Sequence, residues 1–226
     1  MATSALPAEI LRSIRYRDDN NLPMPPALKL AAFKAIGSLA PINAEYHDMI
    51  TEALLTFFEG KGAVTAPKNL MRRAATNAFN GAFEMGWAKG GREFPLSADA
   101  GEWLYSRLNS EYGNIDTLFV QAKDLRKAGG AYFSWVNARA DSYTATLQAI
   151  YNAGQMYAAG DKALTWRLGK TEKHCDTCLS LDGTSRPASW YIANDYIPRK
   201  PGAAMDCGGW NCDCGLFNKA GDRVTV

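Results

Sequence analysis

No stretch of this 226-residue chain approaches the roughly 18 consecutive apolar residues that a helix needs to cross a bilayer, so no membrane span is expected. Residues 1–20 lack a basic leader followed by an apolar run and a small-residue cleavage site, so no secretory signal is expected either. The expected compartment of synthesis and folding is a cytoplasm. Charge of one sign is also scarce. The 25 Lys and Arg against 23 Asp and Glu leave +2 at pH 7, too small an imbalance for a protein whose main work is neutralising nucleic-acid phosphates. There is no Walker loop and no dinucleotide fingerprint. Glu84, Asp99, Asp182 and Asp195 form no paired-carboxylate pattern, and His47 reads as a helix-surface residue. A zinc deaminase would need His-x-Glu ahead of Pro-Cys-x-x-Cys, whereas Glu172 stands before His174, in the reverse order. No enzymatic activity is expected.

What the chain does have is a core and a helical rhythm. It is 47% hydrophobic and 21% charged, enough to bury a sizeable interior. A short amphipathic helix is expected from Pro7, with Ile10, Leu11 and Ile14 on one face, followed by an extended connector from Asp18 to Pro26. Helices are then expected over 27–39 and 41–59, with Gly60-Lys61-Gly62 as the stop, and over about 65–90. The last of these repeats small residues from Gly81 through Gly86 to Gly90, a spacing that lets another backbone approach closely. Residues 99–127 read as one or two helices ended by Gly129-Gly130, and 131–159 as one long helix with Phe133, Val136, Ala140, Tyr143, Leu147 and Ile150 inward. After Gly160 the pattern changes. Residues 163–169 alternate like a short strand, and glycine, proline, aromatic and cysteine residues dominate thereafter. The expected units are an arm and connector over 1–26, a helical body over 27–160 and a small module over 161–226.

All 5 cysteines fall in that module. An odd count in a reducing compartment argues against a disulfide scaffold and for metal binding. Cys175 and Cys178 have the spacing of a metal knuckle. Cys207, Cys212 and Cys214 form a second cluster, in which an extended segment would send Cys212 and Cys214 to one face. Tetrahedral zinc takes four ligands, so these thiols compete for the places left by Cys175 and Cys178, with His174 as a further candidate. An all-thiolate site is closed, which makes the expected cofactor a structural Zn2+ rather than a catalytic one. The expected fold class is α+β: a mainly helical N-terminal body with a small β-rich, zinc-stapled C-terminal module.

The stretch from Tyr151-Asn152-Ala153-Gly154 through Trp166 and His174-Cys175-Asp176-Thr177-Cys178-Leu179-Ser180-Leu181-Asp182-Gly183 to Cys212-Asp213-Cys214 resembles the Mu F-like minor head proteins, or head morphogenesis proteins, of tailed bacteriophages. The family pattern is an Asn-x-Gly helix, a strand with Trp, Cys-x-x-Cys-x-x-Leu-x-Gly and a closing Cys-x-Cys. Family members often close on His-Pro-x-Cys-Arg-Cys, whereas this chain has Cys207 upstream and Asp213 between the last thiols, so that Cys207 takes the place of that histidine. The resemblance implies a structural protein in multiple but few copies per virion, at the portal vertex or capsid interior, formed in the host cytoplasm. Its implied partners are the portal or other head proteins, and its implied role is head assembly or genome packaging and delivery. The alternative is a nucleic-acid-binding zinc module that escorts the packaged DNA. Its candidate contacts are Lys162, Arg167, Lys170, Lys173, Arg186, Arg199 and Lys200, with Trp190, Tyr191 and Tyr196 to stack on bases.

Overall fold

A computed structural model of the chain describes residues 38–60, 63–93, 95–209 and 213–225. The arm expected from Pro7, the proline connector and nearly all of the helix expected over 27–39 lie outside these residues. Five longer helices come first: α1 (Ala40–Phe58), α2 (Thr65–Lys89), α3 (Ala98–Lys127), α4 (Phe133–Ala145) and α5 (Leu147–Ala159). They are followed by β1 (Ala163–Arg167), α6 (Asp176–Leu181), β2 (Ser185–Pro187), α7 (Ala188–Ala193) and β3 (Gly215–Phe217). The fold is thus mainly helical with one small antiparallel sheet in the C-terminal region, in agreement with the α+β expectation. No helix among the described residues is long and apolar enough to cross a membrane.

The helices form where apolar residues recur at helical spacing. In α1 the buried set Ile42, Tyr46, Ile50, Ala53, Leu54 and Phe57 makes one stripe, and Gly60 at φ 71° turns the chain out of it. The region 99–127 is a single helix. Ser97 caps it by accepting the Ala100 N–H, Asp99 sits in its first turn and Arg126 and Lys127 in its last, as the helix dipole favours.

α2 lies at the centre of the body, packed against α1, α3 and α5. The α2–α5 crossing uses glycine on both sides. A Cβ on Gly86 would stand 2.0 Å from the Tyr151 carbonyl oxygen, and one on Gly154 would stand 2.2 Å from that of Phe83. The small-residue spacing of α2 therefore serves tight helix packing.

The single long helix expected over 131–159 is instead two. At Thr146 the backbone N–H bonds the carbonyl of Tyr143, three residues back, and the Thr146 hydroxyl bonds the same oxygen at 2.7 Å. That local side-chain competition tightens the turn and divides α4 from α5. Phe133, expected inward, is 64% exposed and stacks on Tyr132, which stacks in turn on Phe58.

One charged residue lies on the buried stripe of α3. Glu111 is 2% exposed and accepts hydrogen bonds from Tyr46 Oη (3.3 Å) and Asn114 Nδ2 (3.0 Å). Burial pushes its carboxyl up, against the pull of the Asn114 hydrogen bond, the Arg107 charge and Tyr46. A raised carboxyl favours folding at pH values below the ordinary carboxyl value of 4.5, and that contribution is lost as pH rises through the folded value. Urea midpoints followed across this range are expected to fall for the parent relative to Glu111→Gln, which cannot ionise. Parallel pH profiles would contradict this.

The sheet order is β2-β1-β3, antiparallel throughout, with Leu164 opposite Arg186 and Trp166 opposite Leu216. Leu164 and Trp166 point inward while Ala163 and Arg167 are exposed, the period-two alternation of a half-buried strand. Trp166, Tyr191, Ile197 and Leu216 belong to the same hydrophobic core as Ile50, Phe79 and Met156 of the helices.

Candidate metal centre

The site begins at the N-terminus of α6. Cys175 takes the cap position in extended conformation (φ −74°, ψ 160°), and its sulfur accepts the Cys178 N–H at 3.4 Å. Cys178 is therefore one turn into the helix, with its side chain on the same side and 1% exposed. Leu181 closes α6 as a buried residue. Gly183 at φ 73° then turns the chain so that its N–H meets the Trp166 carbonyl at 3.0 Å. Cys-x-x-Cys-x-x-Leu-x-Gly is thus a complete structural unit: two sulfurs, a core anchor and a left-handed turn onto β1.

Cys207 reaches the knuckle from the loop after α7. Gly208 and Gly209 follow it at φ 56° and 75°, and a Cβ on Gly209 would stand 2.1 Å from the Lys200 carbonyl oxygen. Only glycine fits there.

The sulfurs of Cys175, Cys178 and Cys207 all lie within 4.8 Å of one another and could hold a metal ion. Tetrahedral zinc thiolates, with Zn–S near 2.3 Å, place sulfurs about 3.8 Å apart, so the donor set fits a soft or borderline cation. Burial pushes the Cys175 thiol up, but hydrogen bonds with the backbone and side chains of Cys178 and Cys207 outweigh it and bring the group below its ordinary value.

Of the five expected ligands, three come together. Cys214 is buried but stands outside that trio, with its sulfur 3.7 Å from His174 Nδ1. Cys212 lies outside the described residues. His174 faces Cys214 and Thr171 Oγ1 (3.3 Å), and so forms a pair that adjacency in sequence to Cys175 did not indicate.

Sequence reasoning also missed a clip between the two halves of the site. The Asp206 carboxylate accepts the Thr177 N–H at 2.8 Å and the Thr177 hydroxyl at 2.7 Å. These residues lie immediately beside Cys207 and between Cys175 and Cys178, so the bonds hold the loop against α6 without using a sulfur. Thr177→Val is expected to weaken metal binding by about 10–100-fold, read by competition with a chelator of known affinity. Unchanged affinity would show that the sulfurs alone set the geometry.

Asp213 has a defined task too. It accepts the Lys170 N–H (3.2 Å) and Arg199 Nη2 (3.0 Å), while Arg223 Nη2 bonds its carbonyl (2.8 Å) and lies 3.4 Å from its carboxylate. Asp213 thus gathers three separate segments.

The basic and aromatic residues considered for stacking on nucleic acid are largely engaged within the fold. Arg199 and Lys200 pair with Asp213 and Asp195, Arg167 lies over the Phe217 ring and Arg186 over Trp190. Tyr191 is fully buried, its hydroxyl bonded to the Thr184 carbonyl at 2.9 Å. No family model, curated protein or solved structure matches the chain.

Proposed function

We propose that the chain is a minor structural protein of a tailed-phage head, at the portal vertex or capsid interior, acting in head assembly or genome packaging and delivery. The observation that carries this reading is the placement of the motif residues. Asn152, fully buried, donates to the Pro198 carbonyl at 3.0 Å and ties α5 to the loop that leads to Cys207. Gly154 admits α2, Trp166 fills the core beneath the sheet, and Gly183 makes the turn after the knuckle. Asn152, Gly154, Trp166 and Gly183 therefore each have an architectural role, as a structural module requires.

In this reading Cys175, Cys178 and Cys207 hold a structural Zn2+, with the fourth donor drawn from Cys214, His174 or Cys212. The metal closes the C-terminal module, the helical body supplies the docking surface for the portal or a neighbouring head protein, and the chain has no catalytic task.

The test is made in an assembled particle. Chain and portal are expected to co-purify from disrupted heads, each chain with a single zinc, and phage lacking the gene are expected to yield fewer DNA-filled heads. Full heads at normal yield, with no retention of the chain by the portal, would overturn the proposal.

A further inference from the structure

A groove of about 570 Å³ runs along the N-terminal half of α2 where that helix meets α3, lined by Ala66, Asn69, Arg72, Arg73, Thr76 and Tyr112. Among the described residues its lining holds two guanidinium groups, an amide and two hydroxyls, and no acid. The carboxylate beside it, Asp116 of α3, is already shared between two cations, Arg72 Nη2 at 2.6 Å and Lys68 Nζ at 2.8 Å. Arg73 is exposed and enters none of the ion pairs among the described residues. Three cations therefore meet one carboxylate. α2 also has no acid in its first turn and no side-chain acceptor at its cap, so the dipole of the helix adds to the positive field.

Arg72 is held in place from several sides. Its guanidinium lies over the Tyr112 ring, 5.6 Å from the centroid. Tyr112 Oη and Thr76 Oγ1 stand 2.7 Å apart, and the Thr76 hydroxyl donates to the Arg72 carbonyl at 2.8 Å. Asp116 engages one nitrogen of a group that carries five N–H donors. A guanidinium fixed in this way gives up little freedom when it takes a ligand.

We infer that this groove binds the phosphate group of a phosphate ester, with Arg72 and Arg73 as its cationic partners and Asn69 as an amide donor. A phosphate monoester carries close to two negative charges and three acceptor oxygens, which matches the excess of cations. A carboxylate offers one charge and two oxygens. Guanidinium groups also fit phosphate oxygens in a two-point fork. The volume lies in the range of small-molecule sites, which leaves room for the organic part of the ester beside Tyr112. The phosphate could be that of a free mononucleotide or of a nucleic-acid strand. The groove uses none of the cysteines, and the inference does not rest on the head-protein reading.

The full-length chain is titrated at low ionic strength with inorganic phosphate, acetate, thymidine monophosphate and decathymidylate while the backbone amide resonances of α2 are followed. Phosphate is expected to give saturable shifts over 66–76 with Kd of about 1 mM, and acetate to bind at least about tenfold more weakly. Arg73→Gln alters an exposed residue without an ion pair, so it is expected to fold and to weaken phosphate about tenfold or more. Lys162→Gln changes the net charge equally but follows α5, whose Ala158 packs at Gly90 beyond the far end of α2, so it is expected to bind as the parent does. Decathymidylate that binds at least about tenfold more tightly than thymidine monophosphate would identify a strand as the source of the phosphate, and equal affinities a free ester. Three results would overturn the inference: no saturable shifts over 66–76, acetate binding as well as phosphate, or Arg73→Gln and Lys162→Gln responding alike.

Discussion

Replacing Cys178 by serine is expected to abolish tight metal binding and to release the loops on either side of the site while the helical body stays folded. The knuckle at 175–178 and the loop that carries Cys207 are joined through the cluster of sulfurs and the Thr177–Asp206 clip. Without the metal, that clip and the glycine turns must hold the loop alone. Trp166, Tyr191 and Leu216 remain in the common core, so the effect is local. The loss is expected to be about 4 kcal/mol, and in a chain of this size the melting midpoint would fall by about 8–16 °C. Amide exchange is expected to quicken over 170–182 and 200–209 and to stay slow in α2 and α5. Cys214→Ser, Cys212→Ser and His174→Ala then identify the fourth donor, because only the ligand's replacement reduces metal affinity as severely as Cys178→Ser. A protein that purifies without metal, and a Cys178→Ser variant that melts with the parent, would remove the metal centre.

The second large effect lies at the α2–α5 crossing. Gly86→Ala and Gly154→Ala each drive a methyl group into a backbone carbonyl of the facing helix. A flexible side chain could move aside, but a helix backbone can yield only by separating the helices, which strips contact from the largely buried α5. Each substitution is expected to cost about 3 kcal/mol in urea unfolding, the upper part of the range for overpacking. Gly113→Ala is the internal control. It is in α3 with nothing within 4 Å of its would-be Cβ, so the alanine is expected to stabilise by about 0.5–1 kcal/mol through helix propensity alone. Equal shifts at Gly86 and Gly113 would mean that the helices do not cross at glycine.

What could be read locally was legible in the residues themselves. The apolar stripes of α1 to α3, the small-residue face of α2, the alternation of β1 and the Cys175–Cys178 knuckle all depend on neighbours within a few positions, and each has its structural counterpart. Glu111 was legible in principle, since Leu104, Leu108, Ile115 and Leu118 place it on the buried stripe, although its partner Tyr46 comes from α1. The break at Thr146 was not legible, because a threonine hydroxyl that competes for a carbonyl leaves the apolar period almost unchanged. Phe133 misled for a related reason: it keeps helical register, but at the first turn of α4 its ring stacks outward on Tyr132.

At the cysteines the division is sharpest. By itself the sequence determined that thiols are concentrated in one module, in two clusters with metal-binding spacing, and that Cys175 and Cys178 act as a pair. Only the tertiary structure decided that Cys207 joins them, that Cys214 turns to His174, and that Asp206 clips its loop to Thr177. Spacing within a cluster is set by a turn or two of backbone, whereas convergence of two clusters depends on how the intervening chain packs. Here that path runs from Gly183 through Tyr191 to Pro198, whose contacts are with Trp166, Leu164 and Asn152, far away in the chain, before the local fit of Gly209 against Lys200.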